Sequence, residues 1–127
     1  MKFLFDLGGV FFDWDPHYFY KDVFKDKEER DNFLNNICND EWNIQQDAGR
    51  LIKDAETDLI KNYPDYEDKI KLYYKNHHRM FRKIFQHSVN VLDDLKNNKY
   101  ECYVLSNWSW ETFQGMDKKY SFLNKFD

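Results

Sequence analysis

Two short stretches of the chain are apolar without a helical period. Residues 3–7 form an apolar run that only Asp6 interrupts, and residues 100–105 form a second, largely apolar and aromatic run. Short runs of this kind are typical of strands in a parallel sheet, and the first predicts a strand buried on both faces. We therefore predict strands over 3–7 and 100–105. Gly8-Gly9 follow the first strand and indicate a tight turn.

The residues between these runs carry apolar side chains at a spacing of three and four, which is the pattern of amphipathic helices. Asp15 is expected to cap the first helix, with Pro16 in its first position. Residues 42–50 are interpreted as a connection with a turn at Gly49. The predicted helices begin near residue 15 and then cover about residues 27–38, 51–62, 66–85 and 88–96.

Two strands joined through a helix are expected to pair in parallel through a right-handed crossover. Asp6 lies at the end of the first strand, and Ser106-Asn107 follow the second. The carboxyl ends of parallel strands lie at one edge of a sheet, and open α/β sheets bind ligands there. A carboxylate at that edge serves as a nucleophile or a metal ligand. The sequence therefore predicts an α/β protein in which Asp6 and Ser106 are neighbours in a site.

Composition narrows the function classes. The 127 residues are 42% hydrophobic and 20% aromatic, and the net charge is −4 without a basic stripe. This composition supports a folded core and gives no reason to expect a nucleic-acid partner. No apolar stretch approaches the roughly 20 residues of a membrane span, and the first residues do not form a secretory signal. Cys38 and Cys102 are far apart in sequence, which favours reduced thiols and a cytoplasmic location.

Several segments resemble the haloacid dehalogenase-like (HAD) hydrolase superfamily. Residues 5–10, Phe-Asp-Leu-Gly-Gly-Val, are similar to its first motif, and residues 104–107, Val-Leu-Ser-Asn, are similar to its second. The likeness extends to a phosphatase-like subgroup through residues 13–16, 42–50 and 105–113.

The resemblance implies a fold with two parts. An incomplete Rossmann-like core of parallel strands is expected over residues 1–14 and 86–127, and an inserted α-helical cap over residues 15–85. A cap excludes water and selects the substrate. Three residues in the cap segment that matches the family are expected to face the site: Trp42, Asp47 and Arg50.

The resemblance also implies a chemistry, the hydrolysis of a small phosphorylated metabolite. Asp6 would attack phosphorus and form an aspartyl-phosphate. Mg2+ would be held by the Asp6 carboxylate and the backbone carbonyl of Gly8. The Ser106 hydroxyl and the backbone N–H of Asn107 would bind the phosphoryl oxygens. Many members of the superfamily place a second aspartate where this chain has Gly8, so the proton donor is expected to be water or the leaving group.

The family's third motif is a lysine, and its fourth is an acidic pair that completes the metal site. Neither is assigned here, because Lys118, Lys119 and Lys125 come too early for the lysine and Asp127 stands about where a third strand would begin. The interpretation is a truncated member of the family that binds Mg2+ weakly, since this ion prefers six oxygen ligands. Open edges on a two-stranded sheet also predict self-association.

Other interpretations stay open. Trp42 is expected to pack in a core more often than to contact substrate, and Asp47 and Arg50 are alternatively a solvated pair of charges. Ser106 is alternatively a helix cap. A haloacid dehalogenase, in which Asp6 attacks carbon, and a non-catalytic remnant or interaction module are the alternative functions.

Overall fold

The computed structural model describes every residue, Met1–Asp127. The chain divides into two units. A strand-bearing unit comprises Met1–Trp14, Arg82–Ser106 and Phe113–Asp127, and a helical unit comprises Asp15–Phe81 and Asn107–Thr112. The boundaries expected from the sequence differ from this division in two places, because residues 82–85 belong to the strand-bearing unit and residues 107–112 to the helical unit.

The chain is a mixed α/β protein whose elements are short. The strands are β1 (Lys2–Phe5), β2 (Phe12–Trp14), β3 (Phe81–Ile84) and β4 (Glu101–Val104). The helices are α1 (His17–Tyr20), α2 (Lys27–Asn36), α3 (Asp40–Asp47), α4 (Ile52–Asn62), α5 (Glu67–Lys75), α6 (Gln86–Asn97), α7 (Trp110–Phe113) and α8 (Met116–Lys119). Single 3-10 turns occur at Pro64–Tyr66, His77–Met80 and Ser121–Lys125.

Strands β1 and β4 form a parallel two-stranded sheet, as the sequence predicts. The register pairs Phe3 with Cys102 and Phe5 with Val104. The N–H of Leu105 donates to the carbonyl of Phe5 at 2.9 Å, which extends the pairing one residue beyond β4. A second two-stranded sheet joins β2 to β3.

One face of the strand-bearing unit is packed with aromatic rings. Phe11 is fully buried and stacks on Phe122 with ring centroids 5.2 Å apart, while Phe5 and Phe126 meet it edge-on. Side chains on alternate positions of a strand point to opposite faces. The other face of β1 is open, and Leu4 is 66% exposed. The expectation that this strand is buried on both faces is therefore wrong, because no layer covers the second face of the sheet.

The helical unit has its own core, built around buried aromatic side chains. Tyr20 is fully buried, and its hydroxyl donates to the carbonyl of Lys69 at 2.7 Å. The rings of Phe33 and Tyr73 lie against it. Burial of the hydroxyl is tolerable because that hydrogen bond replaces the one to water.

One predicted element is wrong in type and another is wrong in extent. Residues 42–50 were expected to be a connection, but α3 occupies most of them, with the Asn39 side chain accepting from the N–H of Trp42 at 2.9 Å as its cap. The helix expected over 66–85 ends at Lys75, where the Asn76 side chain donates to the carbonyl of Leu72 at 3.0 Å. A 3-10 turn and β3 follow it.

Gly49 provides a test of backbone strain in the turn predicted from the sequence. Its φ is +113°, and no atom would lie within 4 Å of an added Cβ. We expect Gly49→Ala to lower the free energy of unfolding by about 1–3 kcal/mol, because only glycine adopts this backbone without cost. Denaturant unfolding measures the change. Gly8→Ala is the matched control, since its site is equally open and its φ is not positive. Equal effects of the two substitutions would contradict the assignment.

Candidate functional site

Asp6 lies directly after the last residue of β1, and its side chain is exposed. One carboxylate oxygen, Oδ1, accepts a hydrogen bond from the N–H of Leu7 at 2.7 Å. This bond fixes the side chain at the start of the turn and leaves the second oxygen outside it. The carboxylate is thus held in place and accessible, which are the two properties that a nucleophile or a ligand requires.

Ser106 lies at the same end of the sheet as Asp6. The register pairs Phe5 with Val104, so continuing the two strands brings the residues after Phe5 beside the residues after Val104. The Leu105 to Phe5 hydrogen bond belongs to this last pair and extends the contact with β1 as far as Leu105, the residue before Ser106. Ser106 is half-buried, and Asn107, the next residue, is exposed. The parallel pairing therefore places Asp6 and Ser106 in the segments that leave the same end of the strand pair.

In the turn after Asp6, the backbone N–H and carbonyl of one residue form no hydrogen bond within the turn. The carbonyl of Leu7 accepts from the N–H groups of Phe11 and Phe12 at 2.9 and 3.2 Å, and the N–H of Gly9 donates to the carbonyl of Phe12 at 3.0 Å. Gly9 has a φ of +77°, which explains why glycine stands there. The N–H and the carbonyl of Gly8 take no part in these bonds. Gly8 is the member of the turn that is able to donate to an anion or bind a cation.

The oxygen donors at this edge are few. Asp6 and the Gly8 carbonyl supply two, and the chain holds no cluster of three or more His, Cys, Asp or Glu side chains placed to bind a metal ion. Mg2+ commonly keeps several of its six waters and binds through one or two carboxylates. The two donors fit such an ion only as a weakly held, largely hydrated one.

Trp42, expected to face a substrate, is a packing residue of the helical unit. It is buried, and its ring lies 5.3 Å from the rings of both Tyr73 and Tyr74. Its indole Nε1 is buried without a hydrogen-bond partner. The interpretation of this tryptophan as a core residue describes its position better than substrate contact does.

Asp47 and Arg50 do not pair with each other. Asp47 accepts a hydrogen bond from the N–H of Ser109 at 3.1 Å, and burial raises the pKa of its carboxyl while that bond lowers it. Arg50 forms an ion pair with Asp58 and donates to Gln45 at 2.7 Å. The alternative of a solvated Asp47–Arg50 pair is wrong, since each group has a different partner within the helical unit.

The helical unit contains a buried polar network that the sequence pattern does not predict. The Gln46 side-chain amide is completely buried and donates to the carbonyl of Trp42 at 2.7 Å and to the hydroxyl of Tyr74 at 2.8 Å. The Tyr74 hydroxyl donates to Asn43 at 2.7 Å. Gln46 follows Trp42 by four residues, so the helical spacing of these two residues was the available signal, but it requires 42–50 to be recognised as a helix.

Comparisons with known proteins leave the family open. No protein-family model matches the chain, and no curated protein or solved structure is significantly similar to it. None of the helices has the length and apolar character needed to cross a membrane. The molecule is thus defined by its own features, a mixed α/β chain with Asp6 and Ser106 at one end of a parallel strand pair.

Proposed function

We propose that the chain is a phosphatase-type hydrolase of the HAD kind, acting on a small phosphorylated metabolite. The observation that carries the proposal is the parallel register of β1 and β4, in which both strands end at one edge and are followed there by Asp6 and by Leu105-Ser106. The accessible carboxylate and the free N–H of Gly8 support it. In this proposal the strand-bearing unit is the core and the helical unit is the cap.

The reaction proceeds in two steps in this proposal. The free carboxylate oxygen of Asp6 attacks phosphorus, the bond from phosphorus to the leaving oxygen breaks, and that oxygen takes a proton from water. Water then attacks the aspartyl-phosphate, releases phosphate and restores the carboxylate. In this proposal the Ser106 hydroxyl and the backbone N–H of Gly8 donate to the phosphoryl oxygens.

Mg2+ belongs to the proposal as a weakly held ion, with Asp6 and the Gly8 carbonyl as its protein ligands. When bound, the ion offsets the negative charge of the carboxylate and the phosphoryl group. Because Asp6 and the Gly8 carbonyl supply only two of the six oxygen ligands that Mg2+ prefers, we expect a high Mg2+ requirement and slow turnover. Trp42, Asp47 and Arg50 act in this proposal by shaping the cap, since their side chains are engaged within the helical unit.

Hydrolysis of an aryl phosphate with Mg2+ tests the proposal. We expect Asp6→Asn to reduce turnover by about 100-fold or more, because the amide is not a nucleophile, and Ser106→Ala to reduce it by about 10-fold. Asp117→Asn is the matched control, an exposed carboxylate in α8 of the same unit. Turnover that is the same in Asp6→Asn as in the unaltered chain would show that Asp6 is not the nucleophile.

A second candidate function is a non-catalytic interaction module. The observation that favours it is the open face of the β1–β4 sheet, on which Leu4 is 66% and Leu105 71% exposed. Exposed apolar side chains that are neighbours in a sheet mark interaction surfaces more often than scattered ones do. Loss of activity in Asp6→Asn would exclude this candidate as the sole function.

A further inference from the structure

The outer edge of β1 carries unused backbone groups. Leu105 donates to Phe5, so the backbone of Phe5, and of Phe3 two residues before it, faces β4. The N–H and carbonyl of Leu4 therefore face away from the sheet. The sheet contains only β1 and β4, and no backbone group outside the sheet hydrogen-bonds to Leu4. An open edge of this kind accepts another strand.

The other edge of the sheet is already occupied. The N–H of Asp127 donates to the carbonyl of Cys102 at 2.8 Å, and the Asp127 carboxylate accepts from the N–H of Cys102 at 2.8 Å. These bonds use the backbone groups of β4 that face away from β1. Strand addition is thus directed to the β1 edge.

The sequence of β1 is complementary to itself about Leu4. Residues 2–6 read Lys-Phe-Leu-Phe-Asp, with a cation at one end, an anion at the other and apolar residues between. The side chains of Lys2, Leu4 and Asp6 share the open face of the sheet, because alternate residues point the same way. An antiparallel copy of this strand, related by a two-fold axis at Leu4, places each Lys2 opposite an Asp6.

We propose that β1 pairs with β1 of a second copy of this chain, antiparallel and centred on Leu4. The two Leu4 residues then exchange their outward N–H and carbonyl groups, which is the geometry of a hydrogen-bonded pair in an antiparallel ladder. Phe3 lies opposite Phe5 on the packed face. The product is a four-stranded sheet in which two Lys2–Asp6 pairs flank the Leu4 pair, and two-fold symmetry closes the assembly at a dimer.

The charged residues at the two ends of β1 favour this register, and they favour a second copy of this chain as the partner. Shifting the two antiparallel copies by two residues removes both Lys2–Asp6 pairs, and a parallel copy places like charges opposite each other, which is unfavourable. Lys2 also lies 3.5 Å from Glu101 of its own chain, on the same face. Glu101 therefore serves as a control, because its substitution removes a charge contact of Lys2 without touching the pair with Asp6.

Sedimentation of the pure chain, without phosphate or Mg2+, tests the proposal independently of any activity. We expect a dimer at concentrations on the order of 100 µM. Lys2→Asp and Asp6→Lys should each weaken the dimer by about tenfold or more, and the double variant should restore it to within about threefold. Glu101→Gln should leave the dimer in place.

Leu4→Pro tests the edge itself. Proline removes the outward N–H of Leu4 and leaves the bonds of Phe3 and Phe5 to β4, so we expect a folded monomer. If this variant does not fold, the charge series decides the question. A monomeric unaltered chain, a dimer insensitive to both charge reversals, or a double variant that stays as weak as the single ones would each overturn the proposal.

Discussion

Replacing Phe33 with alanine is expected to lower the free energy of unfolding by about 3–5 kcal/mol. Phe33 in α2 is completely buried. Its ring lies 5.0 Å from that of Tyr20, 5.2 Å from that of Phe24 and 5.7 Å from that of Tyr66. Removing the ring forfeits its transfer from water and leaves a cavity that rigid neighbouring rings fill poorly.

Denaturant unfolding of the purified variant measures this loss. Leu51→Ala is the control, because Leu51 is 58% exposed and its truncation should cost less than about 1 kcal/mol. Phe33→Leu should fall between the two, since leucine refills part of the space. A loss below about 1 kcal/mol for Phe33→Ala would show that the core of the helical unit is not packed around this ring.

Acidification from pH 7 to pH 4 is expected to destabilise the helical unit through His77. Burial lowers the pKa of this imidazole from 6.5 to about 4, and the neighbouring His78 adds to the effect. Between these two values the unfolded chain binds more protons than the folded one. Stability is therefore complete above about pH 6.5 and falls as the pH drops towards 4, by up to about 3 kcal/mol at 1.36 kcal/mol per pKa unit.

Comparison with variants isolates this contribution from other titrating groups. The rings of Tyr74, Phe81 and Trp108 surround His77, so His77→Phe keeps an aromatic ring in place and should flatten the dependence between pH 7 and 4. His78→Gln, at an exposed position, should retain it. Asp47 and Glu56 act in the opposite direction, because their raised pKa values favour the folded state on protonation. The same pH dependence with and without His77 would contradict the assignment.

Helices α4 and α6 were predictable because each carries a regular apolar stripe, and α2 was predictable from the apolar residues at its C-terminal end. Helices α2, α4 and α6 occupy Lys27–Asn36, Ile52–Asn62 and Gln86–Asn97, close to the expected 27–38, 51–62 and 88–96. In the structure Asp26 caps α2, because its side chain accepts from the N–H of Glu28 at 3.2 Å. Local signals and tertiary packing agree in these segments.

The sequence patterns of the incorrectly predicted elements do not indicate how these elements pack. The buried residues of helix α3 are Trp42 and Gln46. Because Gln46 is polar, the buried face of this helix does not appear as an apolar periodicity in the sequence. The error over 66–85 has the opposite cause. Phe81 and Ile84 are three residues apart, which imitates a helix, although they lie in β3. Strands of three and four residues are too short for their period to be distinguished from a helical one.

The placement of Asp6 and Ser106 after the same end of the strand pair was predictable for a topological reason. A strand, a helix and a second strand constrain the chain to a parallel crossover, and this alone places Asp6 and Ser106 at one edge. The partners of Asp47 and Arg50 were not predictable. Asp47 bonds to Ser109, 62 residues away in sequence, and Arg50 to Asp58, and nothing in the spacing distinguishes these choices from a pair between the two.

The sequence by itself determined the class of the fold, its parallel strand pair and the polar residues at the end of that pair, because strand runs, helical periods and turn glycines act locally. Only the tertiary structure decided which faces are covered. It buried Trp42 and Gln46, lowered the pKa of His77 and left Leu4 and the edge of β1 open. Burial depends on tertiary contacts between segments that are far apart in the chain, and neither composition nor hydrophobic periodicity specifies those contacts.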